Sequence, residues 1–170
     1  MAAEKFWANS ALEPKRKHRW LLYLGDTDIP VYVVKTVNKP GFTINPAEHQ
    51  FFGHKFYYPG NVTWDPVEVT LVDPIDPNVS KKLFEALRRS GYETPDVTEG
   101  GAAFTTSKLK ATKVLNGQVK LEQLGPENDV VETFKLWNPW ITAVKFGDLD
   151  YTSDEMVDIT MTIQYDYATV

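Results

Sequence analysis

The chain contains no cysteine among its 170 residues. That excludes a disulfide framework, thiolate metal sites and a cysteine nucleophile, and it leaves the redox compartment open. Long apolar runs are missing too: none approaches the ~20 residues a membrane-spanning helix needs, so no membrane partner is expected. The start, Met-Ala-Ala-Glu-Lys, lacks an apolar stretch behind a basic end, so a soluble protein made in the cytoplasm is expected. Phosphate-cradling loops are absent, because Gly100-Gly101 has no Lys-Ser or helix start behind it, and there is no Gly-x-Ser-x-Gly elbow. Histidine is scarce, with 3 residues. His49 and His54 lie beside Glu48, but within a strand an odd separation puts two imidazoles on opposite faces, so neither a metal nor another cofactor is expected. Asp148, Asp150, Asp154 and Glu155 supply carboxylates that a glycosidase would need, yet they crowd one turn, where acidic residues are common because turns are solvated. No apolar pocket is indicated to hold one of them protonated. The chain reads as a non-enzyme.

What is present is aromatic and unevenly charged. The 13% aromatic content, with 5 Trp, 8 Tyr and 9 Phe, favours an all-β or assembly-forming protein, and the length suits one well-filled core. Near the start, Lys5, Lys15, Arg16, Lys17 and Arg19 face only Glu4 and Glu13; from residue 146 onward there are six carboxylates and no Lys or Arg. Ends of opposite sign can steer identical subunits together, although a solvated arm and an acidic surface that never meet would read the same way. The basic run is a possible nucleic-acid contact, but the net charge of −5 argues against a protein that coats DNA.

Residues 1–17 read as an N-terminal arm, with Phe6 and Trp7 too apolar for a free tail, and residues 18–170 as one domain. Residues 19–24 and Ile29 to Val37 read as a hairpin around Gly25-Asp26-Thr27-Asp28. Pro40-Gly41 and Asn45-Pro46 mark a loop; Phe51 to Tyr58 is an aromatic strand ended by Pro59-Gly60-Asn61, and Val67 to Leu71 is another strand. Asn78 to Ser90 spaces Val79, Leu83 and Leu87 as one helical face, with Asp76 as cap, Arg88 and Arg89 in the last turn and Gly91 as the stop. Thr94 to Ser107 reads as a long exposed loop. Lys108 to Leu115 and Gln118 to Leu124, joined by Asn116-Gly117, carry the strongest hairpin signal. The fold class is mainly β, an antiparallel sandwich or barrel with one flanking helix.

The closing segment is the most specific. From Val157 to Tyr167 the odd positions are apolar, and Asp158, Thr160, Thr162, Gln164 and Asp166 form a polar face. Before this strand come Trp137-Asn138-Pro139-Trp140, the run Ile141 to Val144, and an acidic turn through Asp148-Leu149-Asp150-Tyr151 and Asp154-Glu155. This order of elements, ending Gln164-Tyr165-Asp166-Tyr167, resembles the C-terminal part of the tail tube proteins of contractile-tailed phages of the T-even type. The match covers roughly the last fifth of the chain, and the rest agrees in layout.

The resemblance implies a flattened β-sandwich that forms hexameric rings, stacked into a tube that conducts DNA and is enclosed by a sheath. The implied partners are further copies of the chain, the tail sheath, baseplate and tail-terminator proteins, and DNA that passes without specific binding. The implied location is the virion tail, assembled in the host cytoplasm. On this reading Asp158, Thr160, Thr162, Gln164 and Asp166 line the lumen or the outer side of the sheet. Phe6, Trp7, Lys15, Arg16, Lys17, Asp148, Asp150 and Asp154 are candidates for contacts between subunits, with residues 94–107 and the expected 108–124 hairpin as further elements. Alternatives are a baseplate tube initiator, the inner tube of a phage-derived contractile injection system, and a carbohydrate-binding β-sandwich using exposed aromatics.

Overall fold

A computed structural model describes residues 13–95 and 105–170. Two four-stranded antiparallel sheets enclose the core. The first has the order β1 (Trp20–Tyr23), β6 (Gln118–Leu124), β7 (Val130–Trp137), β10 (Tyr167–Thr169); the second has β2 (Val34–Val37), β5 (Val67–Val72), β9 (Asp158–Gln164), β8 (Trp140–Lys145). A separate two-stranded ribbon, β3 (Gly41–Phe51) with β4 (His54–Asp65), extends from the second sheet's side of the chain. Leu22, Val119, Leu121 and Leu136 of the first sheet, with Leu24 just after β1, meet Val67, Val69, Leu71, Ile159, Met161 and Ile163 of the second in one apolar cluster. The mainly β expectation holds, and the period-two reading of the closing strand is borne out: Ile159, Met161 and Ile163 are 0% exposed and Tyr165 is 3% exposed.

Several expected elements are different. The hairpin expected over residues 19–37 does not form: β1 pairs with β6 and β2 with β5, so the two segments belong to opposite sheets. Gly25, at φ +60°, turns the chain so tightly that a Cβ there would lie 2.2 Å from the Leu115 carbonyl oxygen, a close approach only glycine allows. The expected 108–124 hairpin is also absent. Lys108–Val114 is a helix, α2, whose N-cap Ser107 accepts a hydrogen bond from the Lys110 N–H. Asn116 and Gly117 do adopt the left-handed conformation, but they serve the helix end, where Gly117 N–H donates to the Thr112 carbonyl. Lys-Leu-Lys-Ala is a good helix former, and the Asn116-Gly117 turn signal fits a helix end as well as a hairpin. There are therefore two α-helices among the described residues, against the one expected.

The mid-chain helix, α1, runs Val79–Arg89. Its cap is Asn78, which accepts from the Lys81 N–H, in place of the expected Asp76. Asp73 assists by accepting from the Val79 and Ser80 N–H groups and the Ser80 hydroxyl. Val79, Leu83 and Ala86 are buried, whereas Leu87, expected on the same face, is exposed, as is Phe84. The loop expected over residues 38–50 is strand β3 for most of its length, its Pro46 tolerated because the ribbon has free edges.

Candidate assembly surface

Two corners carry the chain between the sheets, and the closing motifs build both. Trp137-Asn138-Pro139-Trp140 passes from β7 in the first sheet to β8 in the second, with Asn138 at φ +51° and Pro139 fully buried. Tyr165-Asp166 passes back from β9 to β10. The two corners are fastened together: Asp166 N–H donates to the Trp137 carbonyl at 3.0 Å, and Asn138 Nδ2 donates to Asp166 Oδ2 at 2.9 Å. Lys108 Nζ lies 2.8 Å from Asp166 as well, and these neighbours hold its carboxyl below the usual aspartate range. Trp137 stacks on Tyr167 at 5.8 Å, and its Nε1 donates to Thr169 Oγ1. The expected single strand from residue 156 to 167 is thus broken at Asp166, whose side chain and N–H are committed to the corner. Behind the corner, Tyr165 donates its hydroxyl to the Asp65 carbonyl at 2.7 Å; burial, then the Asp65 charge, pushes its pKa up to about 12.

The polar face of β9 survives in shortened form. Asp158, Thr160, Thr162 and Gln164 are half-buried, and Asp158 pairs with Lys35 of β2. They occupy the side of the second sheet away from the core, as period two requires. Asp166 does not belong to this row.

The arm and the acidic turn are placed apart from a joint role within one molecule. Phe6, Trp7 and the rest of residues 1–12 lie outside the described residues, as do 96–104 of the expected long loop. Lys15, Arg16 and Lys17 are exposed. Lys15 lies 2.9 Å from Glu132 of β7, Lys39 reaches the same carboxylate, and the two lysines hold Glu132 below the usual glutamate range. The Arg16 carbonyl accepts from Gln123 Nε2 at 2.8 Å, so the end of the arm is tied to its own domain. Asp148, Asp150 and Asp154 are exposed, and among the described residues none of them forms an ion pair. Thr152 N–H and Oγ1 hydrogen-bond to Asp150 and lower its pKa, an internal turn arrangement. Leu149 and Tyr151 stand out between these carboxylates, nearly or fully exposed, and Met156 beyond them is exposed as well.

A run of exposed aromatics among the described residues lies where the sequence reads as a loop followed by a strand. The β3–β4 ribbon is paired from Gly41↔Asp65 to Phe51↔His54, with an irregularity between Ile44 and Pro46. There Gly60 lets the Asn45 carbonyl approach to where a Cβ would be, 2.5 Å away. Its base is anchored by Phe42 edge-on to Trp64, and Trp64 against the buried Tyr165. Its outer part is not anchored: among the described residues, no hydrogen bond, ion pair or aromatic contact ties residues 46–59 to another element. The tip is a two-residue turn with Phe52 at φ +47° and Gly53 at φ +77°, the type I′ form that hairpins favour. A phenylalanine in this conformation is strained, and this one is 87% exposed. Phe42, Phe51, Phe52, Phe56, Tyr57 and Tyr58 are all exposed. Together, over both faces of the ribbon, they offer on the order of 700 Å² of exposed surface. The available signal was Phe52-Gly53 between two segments of similar length, hidden by Pro46 and Pro59.

A shallow apolar groove of about 350 Å³ lies between α1, α2 and β8, lined in part by Leu83, Leu87, Val114, Trp140 and Ile141. No group of three or more His, Asp or Glu side chains arranged to hold a metal occurs among the described residues, and no helix there is long and apolar enough to cross a membrane.

No protein-family model matches the chain, and comparison with curated proteins found no match. Solved structures do match. A chain in the cryo-electron microscopy structure of the anti-feeding prophage baseplate, six-fold symmetrised, is 16% identical with a TM-score of 0.65, covering 93% of this chain and 95% of that one. A chain in the anti-feeding prophage cap, described as the tube terminating cap, is 15% identical at 0.65, covering 99% and 97%. A third, in the PVC sheath-tube complex of an extracellular contractile injection system, is 14% identical at 0.62, covering 92% and 90%. At these identities the likeness is one of fold. The chain therefore shares the fold of components of phage-tail-like contractile injection systems, and nothing in the likeness singles out a T-even phage.

Proposed function

We propose that the chain is the inner-tube subunit of a contractile tail or of a phage-derived injection device, forming hexameric rings that stack into a tube. The observation that carries this reading is the aromatic ribbon, which leaves the domain without support. An isolated two-stranded ribbon is at best marginally stable in water, and exposed apolar patches of this size mark interaction sites. A ribbon seated on a surface other than itself makes a heterologous contact, which closes into a ring or propagates along an axis according to its rotation. The fold shared with chains from tube-bearing assemblies supports the same reading.

In the tube, the outer face of the second sheet, with Asp158, Thr160, Thr162 and Gln164, lines the lumen. A lumen wall that is neutral or acidic does not hold phosphates, so DNA would slide through it. Lys15, Arg16 and Lys17 of one subunit meet Asp148, Asp150 and Asp154 of a neighbour within the ring, where Phe6 and Trp7 would add apolar area. The sheath, baseplate and terminator proteins are the further partners, the tail particle is the location, and no catalysis is performed. A second reading, a cap or baseplate tube initiator, is favoured by the likeness to chains from cap and baseplate structures.

Negative-stain microscopy of the purified protein tests the proposal: rings and tubes with a central hole are expected. Featureless monomers retained on a glycan column would overturn it in favour of a carbohydrate-binding sandwich. Short stacks of one or two rings in the particle, against many, would assign the initiator.

A further inference from the structure

The two helices carry a charge opposite to that of the whole chain. Within Val79–Arg89 and Lys108–Val114 there are seven Lys and Arg side chains and one carboxylate, Glu85, in a protein of net charge −5. Three of these cations are engaged: Lys82 donates to the Asp28 carbonyl, Arg89 lies 3.4 Å from Asp26, and Lys108 holds Asp166. Lys81, Arg88, Lys110 and Lys113 are exposed, and among the described residues their side chains make no hydrogen bond or ion pair. They border an apolar seat. Phe84 and Phe146 line both the groove between α1, α2 and β8 and a second hollow that Lys81 and Arg88 also line, so the two hollows form one trough. Leu83 and Val114 are buried in its floor beside the half-buried Trp140, while Phe84, Leu87 and Phe146 are 44%, 40% and 42% exposed. Along α1 the trough runs from Lys81 to Ser90, about 14 Å at ~1.5 Å per residue. The acidic turn begins beyond Phe146, on the β8 side, and the four unengaged cations stand on the helical side.

We propose that this trough receives an acidic amphipathic helix of a different protein. The inference stands apart from the tube reading, because it uses neither the ribbon, the arm nor the acidic turn. Apolar side chains at i, i+4 and i+7 of a helix span about 10 Å, which the trough accommodates, and carboxylates along one flank then face Lys81, Arg88, Lys110 and Lys113. Burial of Phe84, Leu87 and Phe146 supplies affinity, and the unengaged cations select the sign of the partner and speed the encounter. The carboxylates beyond Phe146 set its orientation, acidic flank toward the helices. A phosphate backbone would use the cations and leave the apolar side chains in water, and a lipid surface is broader than a trough with a recessed floor. The acidic turn of a second copy contains no helix to present apolar side chains at this spacing.

The test is fluorescence anisotropy with the full chain and a labelled helical peptide of about 15 residues, with Leu at i, i+4 and i+7 and Glu on the flanks. Saturable binding is expected, weakened about tenfold by K81E/R88E and about tenfold by Phe84→Ser. The same peptide with Lys in place of Glu should prefer K81E/R88E to the wild type. All three substituted positions are exposed, so the variants should keep the parent's urea midpoint. Absence of peptide binding to the wild type overturns the proposal. Equal binding of a scrambled peptide of the same composition overturns it too, since charge alone is then at work. Tighter binding of duplex DNA or of phosphatidylglycerol vesicles, lost in K81E/R88E, would make the surface a phosphate site instead. A peptide of residues 147–157 bound as tightly would assign the trough to a second copy. Each of these results leaves the tube reading as it stands.

Discussion

Excising the outer ribbon should separate folding from assembly. Replacing residues 45–61 by Asn-Gly joins Ile44 to Val62, which are already paired, through a two-residue turn suited to a hairpin. None of the removed residues belongs to the apolar cluster, and the anchors Phe42 and Trp64 remain. The stability of the monomeric domain should therefore stay within about 1 kcal/mol of the parent, as for changes away from the core. Assembly should respond differently. Burying even half of roughly 700 Å² of aromatic surface corresponds to about 9 kcal/mol at ~25 cal/mol/Å², before the costs of association and ordering are subtracted. Those costs are about 4–15 kcal/mol for a free pair, but within a stack they are shared with the other contacts of the ring. With about 3 kcal/mol per contact remaining after that sharing, the critical concentration for stacking rises about 100-fold. Urea unfolding read by tryptophan fluorescence measures the first effect, and sedimentation velocity over a concentration series the second. Normal tubes from the excised variant would refute the reasoning. So would a variant that no longer folds, because the ribbon would then belong to the core.

Met161→Ala should destabilise the domain by about 3 kcal/mol through the cavity it leaves, while Thr162→Ala, on the other face of β9, should cost less than about 1 kcal/mol; paired urea midpoints check the alternation. Glu132 is held below the usual glutamate range by Lys15 and Lys39, so its stabilisation is present above the unfolded-state value and is lost as pH falls through the depressed one. Glu132→Gln should therefore cost about 1 kcal/mol near neutrality and nothing at strongly acidic pH, which urea midpoints across the acidic range would show. Tyr165 has the opposite sign. Its raised pKa of about 12 means that its contribution is intact below the ordinary tyrosine range and is lost as pH rises through about 12. Tyr165→Phe should remove about 1 kcal/mol with the hydrogen bond to Asp65, and the variant should lack the alkaline loss seen in the parent.

Local chemistry was readable wherever a short stretch answers to one rule. Ile159, Met161 and Ile163 announce their burial because a half-buried strand has period two. The span of α1 was legible from its apolar spacing and from Gly91, although the cap fell to Asn78. Pairing was not legible. Residues 19–24 and 29–37 look like a hairpin, yet Leu22 of β1 and Val34 of β2 pack on one core from opposite sheets, and only the whole fold supplies two sheets. Lys108 to Val114 shows the same limit, since the Asn116-Gly117 signal is compatible with either a strand or a helix before it.

By itself, the sequence determined a cysteine-free, mainly β domain with a half-polar closing strand, because composition and periodicity act over a few residues. Tertiary structure alone decided that Trp137-Asn138 and Tyr165-Asp166 form one double corner. It placed His49 and His54 on one face, because the Phe52-Gly53 turn lies between them and His49 pairs with Phe56, two residues from His54. It also decided that six exposed aromatics gather on a ribbon beyond the core. These depend on which strand lies beside which, and that is set by the burial of residues far apart in the chain.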